Sequence, residues 1–180
     1  MSSPLICVRT FYPRLLKKTG VIGMIVWKVE QSGGKCNMFM GEYAHSLDPK
    51  GRVIIPSKFR ESLGSRCVIT RSLDRCLCIY AMEDWEKFVA RLSDIPYNVK
   101  KQRQLVRFFL SGANEAEPDR QGRILIPANL REAAGIDRDV LLVGVGSRIE
   151  IWSKDAWEEN MSSEEINEIA EEMLGNGFEI

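Results

Sequence analysis

The 180-residue chain has a formal net charge of zero, 44% hydrophobic and 28% charged residues, a composition typical of a folded, soluble protein and not of a disordered one. The apolar run near the N-terminus, Val21–Trp27, has seven residues, whereas a membrane-spanning helix needs about 20, so we expect no membrane association. Five cysteines and one histidine, His45, show neither a disulfide framework nor zinc-ligand spacing. We therefore expect reduced thiols in a cytoplasmic protein, no metal and no cofactor.

Charge is distributed unevenly along the chain. Residues 1–37 carry six Lys/Arg against one Asp/Glu, and residues 38–112 carry thirteen against eight, so each segment has a net charge of +5. Residues 113–180 carry six against sixteen, a net charge of −10. This asymmetry favours a basic partner-facing part and an acidic, solvated end, although acidic helices are also simply soluble.

Residues 1–37 show no clear hydrophobic periodicity. Ser32-Gly33-Gly34-Lys35 can be encoded by a purine run that looks like a ribosome-binding site shortly before Met38. We therefore interpret the segment as an N-terminal extension that is disordered or that results from a misassigned start codon. The alternative is a genuine basic arm that touches phosphate.

The remainder of the chain contains an internal duplication. Residues 48–64 align with residues 119–135 at a constant offset of 71, and the match continues at an offset of 72 after a one-residue insertion. The predicted domains are a first module with its helices at 38–112 and a second module with acidic C-terminal helices at 113–180. Each module has a small core, so we expect the two to complete one pseudo-two-fold domain and to favour a closed oligomer.

Both copies are predicted to have the same order of elements. A short strand leads into a tight turn that begins at Asp48 or Asp119, because Asp at the first position and Gly at the fourth suit a type I turn. A β-branched strand, a short helix, two more strands and further helices follow. The predicted bounds are 43–47, 53–55, 57–64, 67–71, 76–81, 83–92 and 99–110, then 113–118, 124–126, 128–135, 140–143, 148–152, 154–160 and 164–174.

Catalytic patterns do not occur in this sequence. One histidine supports little acid–base chemistry, and there is no Gly-x-Ser-x-Gly, Walker or dinucleotide-binding fingerprint. Asp48 and Asp119 could form a carboxylate dyad, but a role as turn residues that accept backbone N–H bonds explains them better. We therefore predict that the protein is not an enzyme.

In both copies an aspartate is followed four residues later by an arginine, and a turn brings such a pair close together. The carboxylate can then orient the guanidinium toward phosphate or toward guanine in the major groove, which admits a two-stranded β-ribbon. A surface ion pair beside a turn is also common. Further basic residues lie at the tip of the first copy. The predicted DNA-binding residues are Asp48, Lys50, Arg52, Lys58, Arg60, Asp119 and Arg123.

Residues 38–60, MFMGEYAHSLDPKGRVIIPSKFR, resemble the start of the MraZ family, and the resemblance extends to about residue 175. Asp-x-x-x-Arg occurs in both halves of this chain, as it does in that family. The resemblance implies a β-rich α+β fold of two tandem swapped-hairpin modules of the AbrB type, with short helices after each.

The same resemblance implies a DNA-binding transcriptional regulator, typically a repressor, that binds short direct repeats in the promoter of its own cell-division and cell-wall gene cluster. It also implies ring-shaped homo-oligomers and association with the nucleoid. The segment charges predict that the tip at Arg52 contributes more to DNA affinity than the tip at Arg123. The alternative is a ring-forming scaffold or antitoxin-like module whose partner is a protein.

We expect residues 1–37 to be dispensable, because they lack the patterning of the repeat. A chain that starts at Met38 should unfold at the same temperature and bind DNA with the same affinity as the full chain, as measured by thermal unfolding and DNA titration. A large loss of stability on truncation would show instead that the segment is structural.

Overall fold

A computed structural model of the chain describes residues 38–175, which lie within one compact unit. The interpretation of residues 1–37 falls outside the described residues. Every element predicted for residues 38–175 is present, and the largest shift is at the first strand, which begins four residues early, at Phe39.

Strands and helices follow one another in the same order in the two copies. The strands are β1 (Phe39–Ser46), β2 (Arg52–Ile54), β3 (Cys67–Arg71), β4 (Cys76–Ala81), β5 (Asn114–Ala116), β6 (Arg123–Leu125), β7 (Asp139–Gly146) and β8 (Arg148–Ser153). The helices are α1 (Ser57–Leu63), α2 (Met82–Ser93), α3 (Lys100–Ser111), α4 (Ala128–Ala133), α5 (Lys154–Asn160) and α6 (Ser163–Gly175).

The two copies exchange strands. In a six-stranded antiparallel sheet of order β1-β7-β8-β4-β3-β5, β1 of the first copy pairs with β7 of the second, and β5 of the second copy pairs with β3 of the first. At the centre, β4 pairs with β8, one strand from each copy. The order reads the same from either end when the copies are interchanged, so the sheet has the pseudo-two-fold symmetry that the repeat predicts.

A separate two-stranded sheet, β2 with β6, lies over the main core. Val53 and Ile124, which face each other in this pair, are both 0% exposed. They belong to one apolar cluster with Phe59 of α1, Leu130 of α4 and the inward residues of the six-stranded sheet, among them Ile151. Burial of this cluster is the main apolar contribution to stability, at about 25 cal/mol per Å² of apolar surface, and it fixes the two-stranded sheet in place.

Three helices pack on the opposite face of the six-stranded sheet. Tyr80 of β4 stacks on Phe88 of α2, with ring centroids 5.3 Å apart, and Phe88 meets Phe109 of α3 edge-on at 5.2 Å. In the second copy Trp152 of β8 packs against Trp157 of α5 at 5.6 Å. The sheet is therefore covered on both faces, and the three helices α2, α3 and α5 lie on the side away from β2 and β6.

The exchange of strands predicts that neither copy folds alone as a monomer, because each would lose the partners of its outer strands and half of the core. Segments 38–112 and 113–180, prepared separately, should be unfolded or should associate only at high concentration. Mixed together, they should form a 1:1 complex with the circular dichroism spectrum of the intact chain. A cooperative, concentration-independent melt of monomeric 38–112 would contradict the exchange.

Candidate nucleic-acid interface

The β2–β6 ribbon presents one face to the core and one to the outside. Because successive side chains of a strand point to opposite faces, burial of Val53 and Ile124 turns their neighbours outward. Two of the outward residues are arginines, and each stands directly across the ribbon from an aliphatic residue. The outward set is Arg52 opposite Leu125 and Ile54 opposite Arg123.

Asp48 organises the turn that leads into β2. The backbone N–H of Gly51 donates to the Asp48 carbonyl at 2.8 Å, which is the bond of the predicted turn. The N–H groups of Lys50 and Arg52 donate to Asp48 Oδ1 at 2.9 and 3.0 Å. Gly51 has a φ of +76°, a value that L side chains rarely adopt. The predicted role of the aspartate as an acceptor of backbone N–H bonds is confirmed.

The second oxygen of each aspartate holds the arginine four residues later. Arg52 places Nε 2.8 Å and Nη2 2.7 Å from Asp48 Oδ2. Arg123 has the same two distances to Asp119 Oδ2. The two turns therefore have the same geometry, and the predicted orientation of each guanidinium by its carboxylate is confirmed.

The two Asp–Arg pairs form one site and not two separate tips. Nη1 of Arg52 lies 3.8 Å from Asp119 Oδ2, and Nη1 of Arg123 lies 3.9 Å from Asp48 Oδ2. These contacts link the copies, because β2 and β6 are neighbours in the ribbon. Both distances exceed that of a hydrogen bond, so the Nη1 donors remain available to a ligand. The arginine side chains are 28% and 24% exposed, enough to be reached from solvent.

Both aspartates are held in the ionised form. The guanidinium of Arg52 donates a hydrogen bond to Asp48 and, with the Arg52 backbone N–H, keeps the pKa of that carboxyl below its usual value. In the same way the Arg123 side chain, followed by its backbone N–H, lowers the pKa of Asp119 to about 2. At neutral pH the cluster therefore consists of two carboxylates and two guanidinium groups.

A second pair of arginines braces the turns from the opposite copy. Arg60 of α1 lies over Gly122, where an added Cβ would come within 2.6 Å of Arg60 Cδ, and its Nε donates to the Ile55 carbonyl at 3.0 Å. Arg131 of α4 lies over Gly51 in the equivalent way. Arg60 was predicted from its charge alone. Arg131 was missed, although the offset of 71 maps Arg60 onto it.

Further exposed side chains border the cluster. Lys50 in the first turn and Lys58 in α1 were predicted to bind DNA, and both side chains are exposed, which DNA binding requires. The second turn contributes Arg120, also exposed and also missed by the sequence reasoning. Ile54 and Leu125 are 44% and 54% exposed, and the alternation of the two strands would have placed them outward. Each copy therefore supplies both basic and aliphatic side chains to the same surface.

Half of the acidic residues of the second copy lie in two helices outside the ribbon. Eight of the sixteen acidic residues of segment 113–180 belong to α5 and α6, and neither helix is part of the ribbon or its turns. Around the ribbon the first copy places four basic residues and one aspartate, and the second copy places three basic residues and one aspartate. The first copy supplies Lys50, Arg52, Lys58 and Arg60 with Asp48, and the second supplies Arg120, Arg123 and Arg131 with Asp119.

Comparison with known proteins gives the family. The sequence pattern described as "MraZ protein, putative antitoxin-like" matches residues 38–108 and again residues 109–176. The chain belongs to the MraZ family. The two matched stretches correspond to the two structural copies, so the sequence pattern of the family describes one copy and occurs twice in this chain.

Several family members are close relatives over almost their whole length. A protein of Lachnoclostridium phytofermentans named transcriptional regulator MraZ is 56% identical over 141 residues, which cover 78% of this chain and 99% of that one. Proteins with the same name from Acetivibrio thermocellus and a Thermoanaerobacter species are 54% and 53% identical, covering 95% and 96% of their lengths. The solution structure of PHS018 from Pyrococcus horikoshii matches at 17% identity over 63% of this chain and 87% of that one, with a TM-score of 0.27, too low to support an argument.

Two other features of the described residues bear on the kind of site. Within residues 38–175 no three or more Cys, His, Asp or Glu side chains are grouped so that they could hold a metal ion. No helix of this part of the chain is both long and apolar enough to cross a membrane.

Acid should destabilise the fold through the two turn aspartates. Their pKa is depressed in the folded state but near 3.9 in an unfolded chain, so their stabilising effect is present above about pH 4 and is lost as the pH falls toward 2. Asp119→Asn should flatten the fall of the unfolding midpoint between about pH 4 and pH 2. Glu132→Gln, at an exposed residue of α4, is the control and should leave that slope unchanged. An unaltered slope in Asp119→Asn would contradict the assignment.

Proposed function

We propose that this protein is a sequence-specific DNA-binding transcriptional regulator and that the β2–β6 ribbon is the element that reads DNA. The observation that supports this proposal most directly is the outward face of the ribbon, where Arg52 and Arg123 are each held by a carboxylate. The names of the family relatives agree, since those proteins are called transcriptional regulators and not enzymes.

The two-stranded form and the chemistry of the ribbon suit the major groove. That groove is about 12 Å wide and admits a two-stranded β-ribbon. An arginine fixed through Nε and Nη2 retains Nη1 donors for a phosphate or for the acceptor atoms of guanine. Ile54 and Leu125, the aliphatic residues of the same face, have the chemistry to contact the methyl group of thymine. The ribbon therefore combines polar and apolar recognition of base edges.

The basic residues around the ribbon would contact the DNA backbone. Lys50, Lys58 and Arg60 in the first copy, and Arg120 and Arg131 in the second, surround the reading face. Contacts of this kind position a protein on DNA and supply much of its salt-dependent affinity without reading sequence. We therefore assign them to phosphate binding, with Arg60 and Arg131 also bracing the turns.

We further propose that the protein acts as a repressor on short direct repeats in the promoter of its own cell-division and cell-wall gene cluster, which would place it on the nucleoid. One ribbon covers few base pairs, so useful affinity requires several copies of the chain on several repeats. This is why a homo-oligomer, in the form of a closed ring, belongs to the proposal. The exchanged strands support its assignment to the swapped-hairpin architecture of the AbrB type.

A scaffold or antitoxin-like module that binds a protein is the second candidate. The family description includes the words "antitoxin-like", and helix α6 exposes an apolar stripe that could meet another protein. DNA affinity that falls steeply with salt concentration would support the regulator. Salt-insensitive binding to a protein, with no preference for the DNA upstream of the chain's own coding region, would support the second candidate.

Arg52→Ala and Arg123→Ala should weaken DNA binding by similar amounts. The segment charges alone predict a larger effect at Arg52, but both arginines occupy equivalent places in one ribbon. A bidentate arginine is worth about 1–3 kcal/mol, which corresponds to roughly 5- to 150-fold in affinity. Fluorescence anisotropy with DNA from upstream of the coding region measures the loss, and Arg91→Ala on α2 is the control. A loss confined to Arg52→Ala would restore the argument from segment charge.

Asp48→Ala should also weaken binding, although it removes a negative charge that repels DNA. The reason is that Arg52 would lose the carboxylate that orients it. Asp48→Asn retains an oxygen for the backbone N–H groups and isolates the loss of the carboxylate charge. If either variant stays folded and binds DNA more tightly than the wild type, the aspartate is only a turn residue.

A further inference from the structure

Helix α6 is amphipathic, and its apolar side is left open to solvent. Its aliphatic residues recur at positions i, i+3, i+7 and i+8, which places them along one side of a helix. Every described side chain of α6 is exposed except that of Ala170, which is half-buried. The remainder of the helix carries five glutamates and no lysine or arginine. The exposed apolar residues are Ile166 at 40%, Ile169 at 46%, Met173 at 42% and Leu174 at 51%.

The corresponding helix of the first copy, α3, is anchored to its own sheet. Thr70 Oγ1 donates to the Phe109 carbonyl and Arg71 Nη2 donates to the Phe108 carbonyl, both at 2.8 Å, at the C-terminal end of α3. Such bonds satisfy carbonyl groups that a helix end leaves without partners. This anchor holds α3 in place and leaves its outer side free.

The described residues of the second copy, 113–175, contain no equivalent anchor. In the sheet, Ile69 occupies the position next to β5 that Leu142 occupies next to β1, so these two residues are equivalent. Counted from them, the equivalents of Thr70 and Arg71 are Val143 and Gly144. Neither has a side chain that can donate a hydrogen bond. The sequence of α6 also lacks the adjacent phenylalanines of α3. These differences explain why α6 does not repeat the packing of α3.

Helix α3 has the complementary surface. It contains four basic residues, Lys100, Lys101, Arg103 and Arg107, and no acidic residue. Aliphatic side chains in and beside it are partly exposed, with Val99 at 44%, Leu105 at 37% and Leu110 at 41%. The two helices have 12 and 13 residues, so each is about 18–20 Å long at 1.5 Å per residue and they can lie side by side.

We propose that α6 of one chain docks on α3 of a second copy of the same chain. The aliphatic stripe of α6 packs on the aliphatic side chains of α3, and the glutamates lie beside the basic residues. A second copy is the occupant because α6 and α3 are opposite in charge, while the α6 stripe remains exposed within the single chain. Because the contact joins two different surfaces, each copy is rotated by the same angle relative to the one before it. The copies form a ring if these rotations add up to a full turn. This inference rests on the self-assembly included in the proposed function.

Two variants test the contact from its two sides. Ile166→Ser with Ile169→Ser removes the stripe of α6, and Lys100→Glu with Arg107→Glu reverses the charge of α3. Each variant alone should give the 20.5 kDa mass of one chain by light scattering at micromolar concentration, where the wild type gives a multiple of it. Because the side chains are exposed, circular dichroism and the unfolding temperature should not change. Leu73→Ser, at an exposed turn residue, is the control and should keep the wild-type mass.

Mixing the two variants separates this contact from other arrangements. The α3 of the first variant and the α6 of the second are intact, so an equimolar mixture should form a dimer of about twice the single-chain mass. A mixture that stays at the mass of one chain would overturn the pairing of α6 with α3. Wild-type mass in either variant alone would overturn it as well, as would a wild type that is itself monomeric.

Binding to DNA that contains a single repeat distinguishes failure of the α6–α3 contact from failure of the proposed DNA-binding function. The monomeric variants have an intact ribbon, so they should bind one repeat as the wild type does and lose affinity only on tandem repeats. Failure of the wild type to bind DNA at all would remove the regulator function and leave the α6–α3 contact to be judged by mass. Equal affinity of variants and wild type on tandem repeats would show that the contact does not serve DNA binding.

Discussion

Backbone pairing between the two copies is the constraint on which the rest of the molecule depends. Among residues 38–175, only β3–β4 and β7–β8 pair within a copy, whereas β1–β7, β5–β3, β4–β8 and β2–β6 all cross from one copy to the other. A strand that loses its partner exposes N–H and C=O groups that must then be satisfied elsewhere. The pairing of β2 with β6 also brings the turns at Asp48 and Asp119 together. The candidate site is therefore a product of the exchange and not of either repeat.

Local chemistry accounts for what could be predicted from the sequence. The turn at Asp48 and the strands Cys67–Arg71 and Cys76–Ala81 were predicted to the residue, because turn residues and β-branched runs act over a few positions. The partner of a strand is not encoded in this local way. Nothing in residues 52–54 indicates that they pair with residues 123–125, so one shared ribbon could not be predicted. The contact of Arg131 with the opposite turn depends on the same pairing.

The net charge of a segment differs from the charge of the residues around the ribbon. The second segment has a charge of −10, yet its part of the ribbon is basic, with three basic residues and one aspartate against four and one in the first. Charges separated by more than about 10 Å in solvent are largely screened at ordinary salt concentration. What a ligand meets at the ribbon is set by the side chains around it. There Arg120 and Arg131 make the second copy's side basic as well, although Asn129 stands at the repeat position of Lys58. The acidic residues of α5 and α6 lie outside the ribbon and its turns, and in the proposed contact those of α6 lie beside the basic residues of α3.

The two copies agree at the ribbon and differ at α3 and α6, and covalent joining is what permits this combination. A dimer of two identical chains would have to carry the same helix at both ends, whereas a fused pair can evolve each end separately. The result is a molecule whose reading face is symmetric but whose body has a direction, from a basic helix to an acidic one. Copies that associate from one end to the other all point the same way around an array. In the proposed assembly their ribbons would then follow one another in a single orientation, as the proposed direct repeats do along DNA.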